Sequence, residues 1–170
     1  MTIETLAIAD IKNNWLYNHV DVEFPTKESL AGRKLYQEKI AGKQYQRITS
    51  EELNTAQDRF SSDDVFLVDF HRLTVMFSVL YSKLWESEAE QQLMVEFLTQ
   101  IIYEEPCELY LGFEDGEAVA TAIVTRDNDQ VLFSDIATRD NASEIKASFA
   151  KALLQKKADM IANSDVYLEM

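Results

Sequence analysis

The sequence has 170 residues, 46% of them hydrophobic and 27% charged, which is enough for one globular domain or two small halves that share one core. Its formal net charge of -14 argues against nucleic acids and anionic membranes as partners, because both would repel the chain. The single cysteine, Cys107, cannot form an internal disulfide, and with two histidines it offers no zinc-type cluster, so no metal site is predicted. These features, with an N-terminus unlike a signal peptide, predict a cytoplasmic protein.

The N-terminal part of the chain is predicted to alternate between helix and strand. A short helix is expected over residues 2–14, and the aromatic and β-branched residues of WLYNHVDVEF predict a strand over 15–24. Thr26 is typical of the residue that caps a helix, here to about residue 40, and Gly42 of a helix stop. KQYQRI, residues 43–48, predicts a weak strand.

The middle of the chain is predicted to be helical. Thr49 with Glu52 and Ser87 with Glu90 each fit a capping box, which begins a short helix to about residue 60 and a longer one over 88–103. Residues 65–85 are apolar on most sides but contain charges. They therefore predict a buried helix rather than a membrane span.

Three strands, a helix and a last strand are predicted for the C-terminal part. Leu109, Leu111 and Phe113 alternate with other residues before Asp115-Gly116, a strong hairpin signal. Further strands are expected over 118–125 and 131–138, then a helix over 143–162 that Asn141 and Glu144 would cap, then a strand over 166–170. Strand, helix and strand in succession predict a parallel pair.

Two units are predicted, an N-terminal α/β segment over residues 1–62 and a core over 63–170. WLYNHVDV, a helix and KQYQRI have the same order as VLFSDIAT, a helix and DVYLEM. This order indicates either an eroded half-repeat or chance, because strand–helix–strand units are common.

The stretch LYLGFEDGEAVATA, followed by VLFSDIAT, resembles the core of the GNAT family of N-acetyltransferases. The resemblance covers roughly residues 69–170. It implies an α+β fold in which a mixed, mostly antiparallel sheet is flanked by helices.

The same resemblance implies an acetyl-CoA site after the strand over 131–138. Its residues here would be Ile136, Ala137, Thr138, Arg139 and Ser143. In the family, an Arg/Gln-x-x-Gly-x-Gly/Ala loop binds the pyrophosphate with backbone amides at a helix N-terminus. The matching stretch, TRDNASE, has no glycine and contains two acids, which would repel a diphosphate.

GNAT proteins usually continue past the strand that matches residues 166–170, with a helix that often supplies a general-acid tyrosine. This chain has no residue to match that tyrosine. The sheet is therefore expected to have an open edge, covered either by residues 15–48 or by a second copy in a homodimer.

Three side chains are candidates for chemistry. Asp135 is predicted on the same strand face as Val131 and Phe133, where a raised pKa would suit a catalytic base. The alternative is a polar group at the strand end that faces solvent or makes a hydrogen bond. Glu108 and Tyr110 are the substrate-binding candidates that the resemblance implies, and an exposed strand face is the alternative.

Two functions follow from the resemblance. The first is an acyl-CoA-dependent N-acyltransferase of unknown substrate. The second is a catalytically inactive GNAT-like fold that acts as a binding or dimerisation module. A mixed α/β ligand-binding domain with a superficial likeness to the family is a third.

Overall fold

Seven strands form a single sheet in the computed structural model, which describes residues 2–170. The strands are β1 (Thr2–Ile3), β2 (Tyr45–Ile48), β3 (Val65–Leu67), β4 (Cys107–Glu114), β5 (Glu117–Asp127), β6 (Gln130–Thr138) and β7 (Asp165–Glu169). The helices are α1 (Ala7–Asn18), α2 (Lys27–Ile40), α3 (Ser50–Leu53), α4 (His71–Ser82), α5 (Glu88–Leu98), α6 (Ser143–Lys156) and α7 (Ala158–Ile161). None of these helices is long and apolar enough to span a membrane.

The strand order across the sheet is β1-β2-β7-β6-β5-β4-β3. Strands β6 and β7 are parallel, and the other neighbouring pairs are antiparallel. Asp115 and Gly116 adopt φ values of 54° and 80° in the turn between β4 and β5, as a primed hairpin turn requires. The predicted α+β fold with a mixed, mostly antiparallel sheet is confirmed.

Each face of the sheet is covered by its own hydrophobic cluster. Helices α1, α2, α4 and α5 pack on one face, which we call the front face, around Leu16, Tyr36 and Phe77. Helix α6 packs on the opposite, back face through Phe149 and Leu153. Because both faces are covered, β5 carries small and apolar residues on both sides, as its sequence predicts.

Two glycines allow close packing between layers. A Cβ on Gly32 of α2 would lie 2.1 Å from the carbonyl oxygen of Leu93 in α5, and one on Gly112 of β4 would lie 2.7 Å from a ring carbon of Phe149. Any larger side chain at these positions would force the two elements apart.

The N-terminal segment supplies the neighbour of β7. Strand β2 pairs antiparallel with β7 along its length, from Tyr45 with Glu169 to Ile48 with Val166. Strand β1 then pairs with β2. Of the two alternatives expected for the open edge, the chain thus uses its own N-terminal part, and the outermost strands are β1 and β3.

The strand predicted over residues 15–24 is wrong, because α1 runs through Trp15 to Asn18. Ile8, Lys12, Trp15 and Leu16 are buried at helical spacing, and this packing outweighs the strand propensity of the aromatic residues. The correction removes the pattern on which the half-repeat idea rested. The division into residues 1–62 and 63–170 stays a prediction.

The long helix predicted over 65–85 is also wrong in its first part. Val65–Leu67 forms β3 on the edge of β4, and the chain is extended at Phe70 before α4 begins. Helix α5 ends at Leu98, earlier than predicted. The helix caps predicted at Thr26, Thr49 and Ser87 are confirmed, since each hydroxyl accepts a backbone amide three residues later. The second half of the two predicted capping boxes differs, because Glu52 and Glu90 accept the cap hydroxyl and not the cap amide.

Candidate functional site

A β-bulge in β6 positions the candidate Asp135. Thr121 of β5 pairs with Ala137 and Ile123 pairs with Ser134, so Asp135 and Ile136 together lie opposite a single residue. Asp135 has φ 55°, and the Thr121 hydroxyl donates to its carbonyl oxygen at 2.9 Å. A bulge re-aims a side chain. Asp135 therefore turns to the front face, and its predicted place beside Val131 and Phe133 is wrong.

The Asp135 carboxylate lies in a buried polar cluster. Lys12 Nζ of α1 lies 2.9 Å from Oδ2, which also accepts the Ser134 hydroxyl at 2.6 Å. Oδ1 accepts the hydroxyls of Tyr36 at 2.5 Å and Tyr81 at 2.9 Å. The side chains of Lys12 and Asp135 are 0% and 1% exposed. Helices α1, α2 and α4 are all joined to the sheet through this one carboxylate.

The positive charge of Lys12 favours the ionised form of the Asp135 carboxyl. Burial alone would raise the pKa of Asp135, but the Lys12 charge and the hydrogen bonds from Ser134 and Tyr36 outweigh it and hold the pKa below its ordinary value. The raised pKa expected for a catalytic base is therefore wrong in direction. The catalytic role of Asp135 stays a prediction, and an ionised carboxylate with four donors does not favour it.

Strands β6 and β7 separate after Phe133 and Leu168, and we call the space between them the fork. The Glu169 side chain occupies the fork. Pairing between the two strands ends at Phe133 with Leu168, after which the Asp135 amide donates to Glu169 Oε1 at 3.2 Å instead of to a backbone carbonyl. Glu169 Oε2 lies 4.0 Å from Lys12 Nζ and is buried without a hydrogen-bond partner among the described residues. Burial and the Asp135 charge raise the pKa of Glu169.

Sequence reasoning missed Lys12 and Glu169. Lys12 is four residues after Ile8 and three before Trp15, so in a helix that continues to Asn18 all three side chains lie on the same buried face. The strand predicted from Trp15 hid that spacing. Val166 and Leu168 lie on the back face, so alternation along β7 places Glu169 on the front face. Because the sequence predicts β7 as an open edge strand, it gives no reason to expect that Glu169 is buried.

The residues predicted to bind acetyl-CoA lie where β6 leads into α6. Ala137 and Thr138 pair with β5, and Ile136 is half-buried. Arg139, the one residue there whose charge suits a phosphate, donates to Glu117 Oε2 at 2.9 Å. Ser143 is exposed at the first position of α6.

The predicted Asn141–Glu144 cap is wrong. Asn141 has a left-handed φ of 49°, so Ala142 occupies the N-cap position and no side chain caps α6. The acids Asp140 and Glu144 are exposed beside the same helix start, where they would repel a diphosphate. Without a glycine, and with two exposed acids beside the helix start, these residues do not fit coenzyme A.

Glu108 and Tyr110 form a separate cluster on the back face. Lys157 Nζ lies 2.9 Å from Glu108 Oε1 and 2.8 Å from the Tyr110 hydroxyl, which donates to the same carboxylate at 3.1 Å. Tyr110 is buried against the α6 side, so its predicted exposed-face alternative is wrong for Tyr110. Since Asp135 faces the front, the sheet separates these substrate candidates from the predicted base.

The described residues hold no group of three or more acids, histidines or cysteines able to bind a metal ion. Cys107 is buried, and burial raises the pKa of its thiol to about 12, so it is not a reactive thiolate at neutral pH.

Comparison with known proteins supports a likeness of fold. No protein-family profile and no curated protein matches the sequence. Among solved structures, a functionally unknown conserved protein from Staphylococcus epidermidis is similar with a TM-score of 0.52 and 12% identity, over 71% of this chain and 46% of that one. A GCN5-related N-acetyltransferase from Kribbella flavida is similar with a TM-score of 0.43 and 15% identity, over 62% of this chain and 39% of that one. The chain spans less than half the length of either structure.

Proposed function

We propose that this chain is a GNAT-like protein that binds a partner and does not transfer acyl groups. The observation that carries the proposal is the closed fork between β6 and β7. In sheets with parallel strands, ligands bind in the crevice outside the carboxyl ends of the strands. Here the buried side chains of Lys12, Asp135 and Glu169 occupy the start of that crevice; Lys12 and Asp135 form an ion pair, and Glu169 accepts the Asp135 amide.

Opening this fork for a ligand would cost the cluster its contacts. Lys12 would have to leave a carboxylate with which it makes a buried ion pair, and removing one partner of such a pair costs about 3–5 kcal/mol. An acyl-CoA arm would have to offset that cost, while its diphosphate would meet Asp140 and Glu144. Both effects oppose binding of the cofactor.

One observation favours the second function, an acyl-CoA-dependent N-acyltransferase. Helix α6 has 14 residues and begins without a side-chain cap, so the amides of its first turn are not engaged by a side chain. Helix starts of this kind attract anions. A ligand-binding measurement separates the two functions.

We expect saturating acetyl-CoA to leave the melting temperature unchanged. A ligand at one hundred times its Kd adds about 2.7 kcal/mol of stability, which for a chain of this size raises Tm by about 5–11 °C. Thermal unfolding is followed with and without millimolar acetyl-CoA, with ADP as the control for non-specific anion binding.

A rise in Tm with acetyl-CoA and not with ADP would contradict the proposal. The variant Arg139→Gln then tests the site, because loss of the rise in this variant would place the diphosphate at the start of α6. No rise with either ligand leaves binding of another kind as the function.

The homodimer predicted from the sequence stays a prediction. Because β2 covers β7, a second copy would have to approach the sheet at β1 or at β3. Of these two outer strands, β3 is the one with large exposed apolar side chains, Phe66 and Leu67.

A further inference from the structure

A pocket of about 440 Å³ lies beside β3, at the start of β4. Pockets of this size are large enough to enclose a small ligand or the side chains of a bound peptide. Its apolar wall includes Leu67 and Met160, which are 39% and 41% exposed. Phe66 and Phe70 are also exposed, but neither lines the pocket, and Phe66 packs against Phe113 on the other face of the sheet. The pocket beside Leu67 and Met160 is therefore the apolar groove at this edge of the sheet.

The rim of the groove is acidic. Asp69, Glu104 and Glu105 line the pocket, are exposed, and form no salt bridge with any residue from 2 to 170. Glu108 is different, because Lys157 already holds its carboxylate. Arg126 brings one positive charge to the lining. The unbalanced negative charge attracts a cationic ligand.

The backbone of β3 offers a place for an extended segment. The Val68 amide donates to the Leu109 carbonyl at 2.8 Å, so the neighbouring residue Leu67 turns its amide and carbonyl away from β4. Lys156 Nζ already binds the Val65 carbonyl at 2.6 Å, which blocks the first part of the edge. Pairing with another segment can therefore begin at Leu67, next to the pocket.

A second copy of this chain does not suit the groove. Antiparallel pairing of two β3 strands with Val65 opposite Leu67 would need the outer edge of Val65 in both copies, and Lys156 Nζ already binds that carbonyl. Each copy also carries a net charge of -14, which adds repulsion at long range. A basic partner satisfies the same surface without this cost.

We propose that this groove binds an extended, basic segment of a partner protein. An apolar side chain of the segment packs against Leu67 and Met160, and a lysine or arginine lies among Asp69, Glu104 and Glu105. This inference rests on the proposed binding function, since it names the class of partner and the surface. The surface is separate from the fork between β6 and β7.

The charge of the groove is tested with a fluorescein-labelled heptapeptide of alternating leucine and lysine, whose binding is followed by anisotropy at physiological salt. We expect Glu104→Gln/Glu105→Gln to weaken binding at least tenfold. The control Glu38→Gln/Glu86→Gln removes the same net charge from exposed positions on α2 and after α4, and should change the affinity less than twofold. Equal losses in the two variants would overturn the proposal, because they would show attraction to the whole acidic chain.

The apolar wall is tested with Leu67→Thr, and Val79→Thr on α4 is the control at a similar exposure of 42%. We expect about a fivefold loss for Leu67→Thr and none for Val79→Thr. Unchanged binding in Leu67→Thr would overturn the proposal. Melting temperatures check that the variants fold, and Met160→Thr replaces Leu67→Thr if the strand variant does not.

Sedimentation of the wild type and of Leu67→Thr distinguishes a second copy from a basic partner. A wild-type dimer at micromolar concentration that becomes monomeric in Leu67→Thr would overturn the proposal in favour of a homodimer through β3. A monomer in both agrees with it. The acetyl-CoA measurement is independent of these results, so failure of the groove and failure of the proposed function give different readings.

Discussion

Replacing Lys12 by methionine removes the cation that contacts both buried carboxylates of the cluster. Methionine nearly fills the space of the lysine stem, so the main change is the loss of the charge and of the donor to Tyr36. Asp135 keeps the hydroxyl donors Ser134, Tyr36 and Tyr81, but Glu169 keeps only the amide of Asp135 among the described contacts.

The expected loss of stability follows from the isolation of the two carboxylates. Removing one partner of a buried ion pair costs about 3–5 kcal/mol of stability. We expect a loss of about 3 kcal/mol, because three hydroxyls still donate to the Asp135 carboxylate. A loss of about 3 kcal/mol lowers Tm by about 6–12 °C for a domain of this size. Arg47→Met is the control, because the Arg47–Asp165 pair is 2.6 Å long but its side chains are 64% and 43% exposed. An exposed pair contributes about 0–1 kcal/mol.

The pH dependence gives a second reading of the same variant. In the wild type the pKa of Asp135 is depressed, so its contribution to stability is present at neutral pH and is lost as pH falls through the folded pKa. Without Lys12, the largest effect that opposes burial is absent, and we expect the pKa of Asp135 to rise above its unfolded value. The contribution of the carboxyl is then present at low pH and is lost as pH rises.

The free energy of unfolding is therefore measured by urea denaturation between pH 4 and pH 8. We expect the difference between wild type and Lys12→Met to be large at neutral pH and to shrink toward pH 4. A loss no greater than that of Arg47→Met would refute the reasoning. A large loss that does not change with pH would also refute it, since it would show a packing defect and no unpaired charge.

Two further predictions concern the same core. Glu169→Gln should stabilise the protein increasingly as pH rises above about 4.5. The pKa of Glu169 is raised in the folded state, so the stability that its neutral carboxyl contributes is lost when it ionises, whereas glutamine does not ionise. A stability difference that is constant with pH in the same urea series would contradict this. Gly32→Ala should lower the free energy of unfolding by about 1–3 kcal/mol, since the added methyl would lie 2.1 Å from the Leu93 carbonyl oxygen. Gly42→Ala, which meets no neighbour within 4 Å but has a φ of +82°, measures a loss from backbone strain alone. Gly32 lies inside α2, where alanine is not strained, so an unchanged stability in Gly32→Ala would contradict the packing explanation.

The C-terminal strands and their turns were predictable because local patterns determine them. Asp115-Gly116 specifies a tight turn, and the alternation of Leu109, Leu111 and Phe113 matches one buried face of β4. Caps at Thr26, Thr49 and Ser87 are also local, since the hydroxyl and the amide it accepts are three residues apart. Trp15 was misread because aromatic residues suit either structure, and distant contacts decide between them.

The candidate site was only partly predictable. Asp135 was identified as a carboxylate inside a strand, but alternation placed it on the wrong face because one bulge reverses the direction of every later side chain. Its partners Lys12, Tyr36 and Tyr81 come from three helices far apart in the sequence. No local pattern connects them to β6.

By itself, the sequence determined the fold class, the three-stranded hairpin region, the parallel pair and the absence of a glycine after β6. These features depend on side-chain periodicity, turn chemistry and residue identity, which act over a few residues. The tertiary structure alone decided that β2 covers β7, that Asp135 faces Lys12, and that Glu169 fills the fork. Those outcomes depend on contacts between segments more than a hundred residues apart in the sequence. A buried charge or an unpaired strand edge is stable only when its partner is present, and no local pattern identifies that partner.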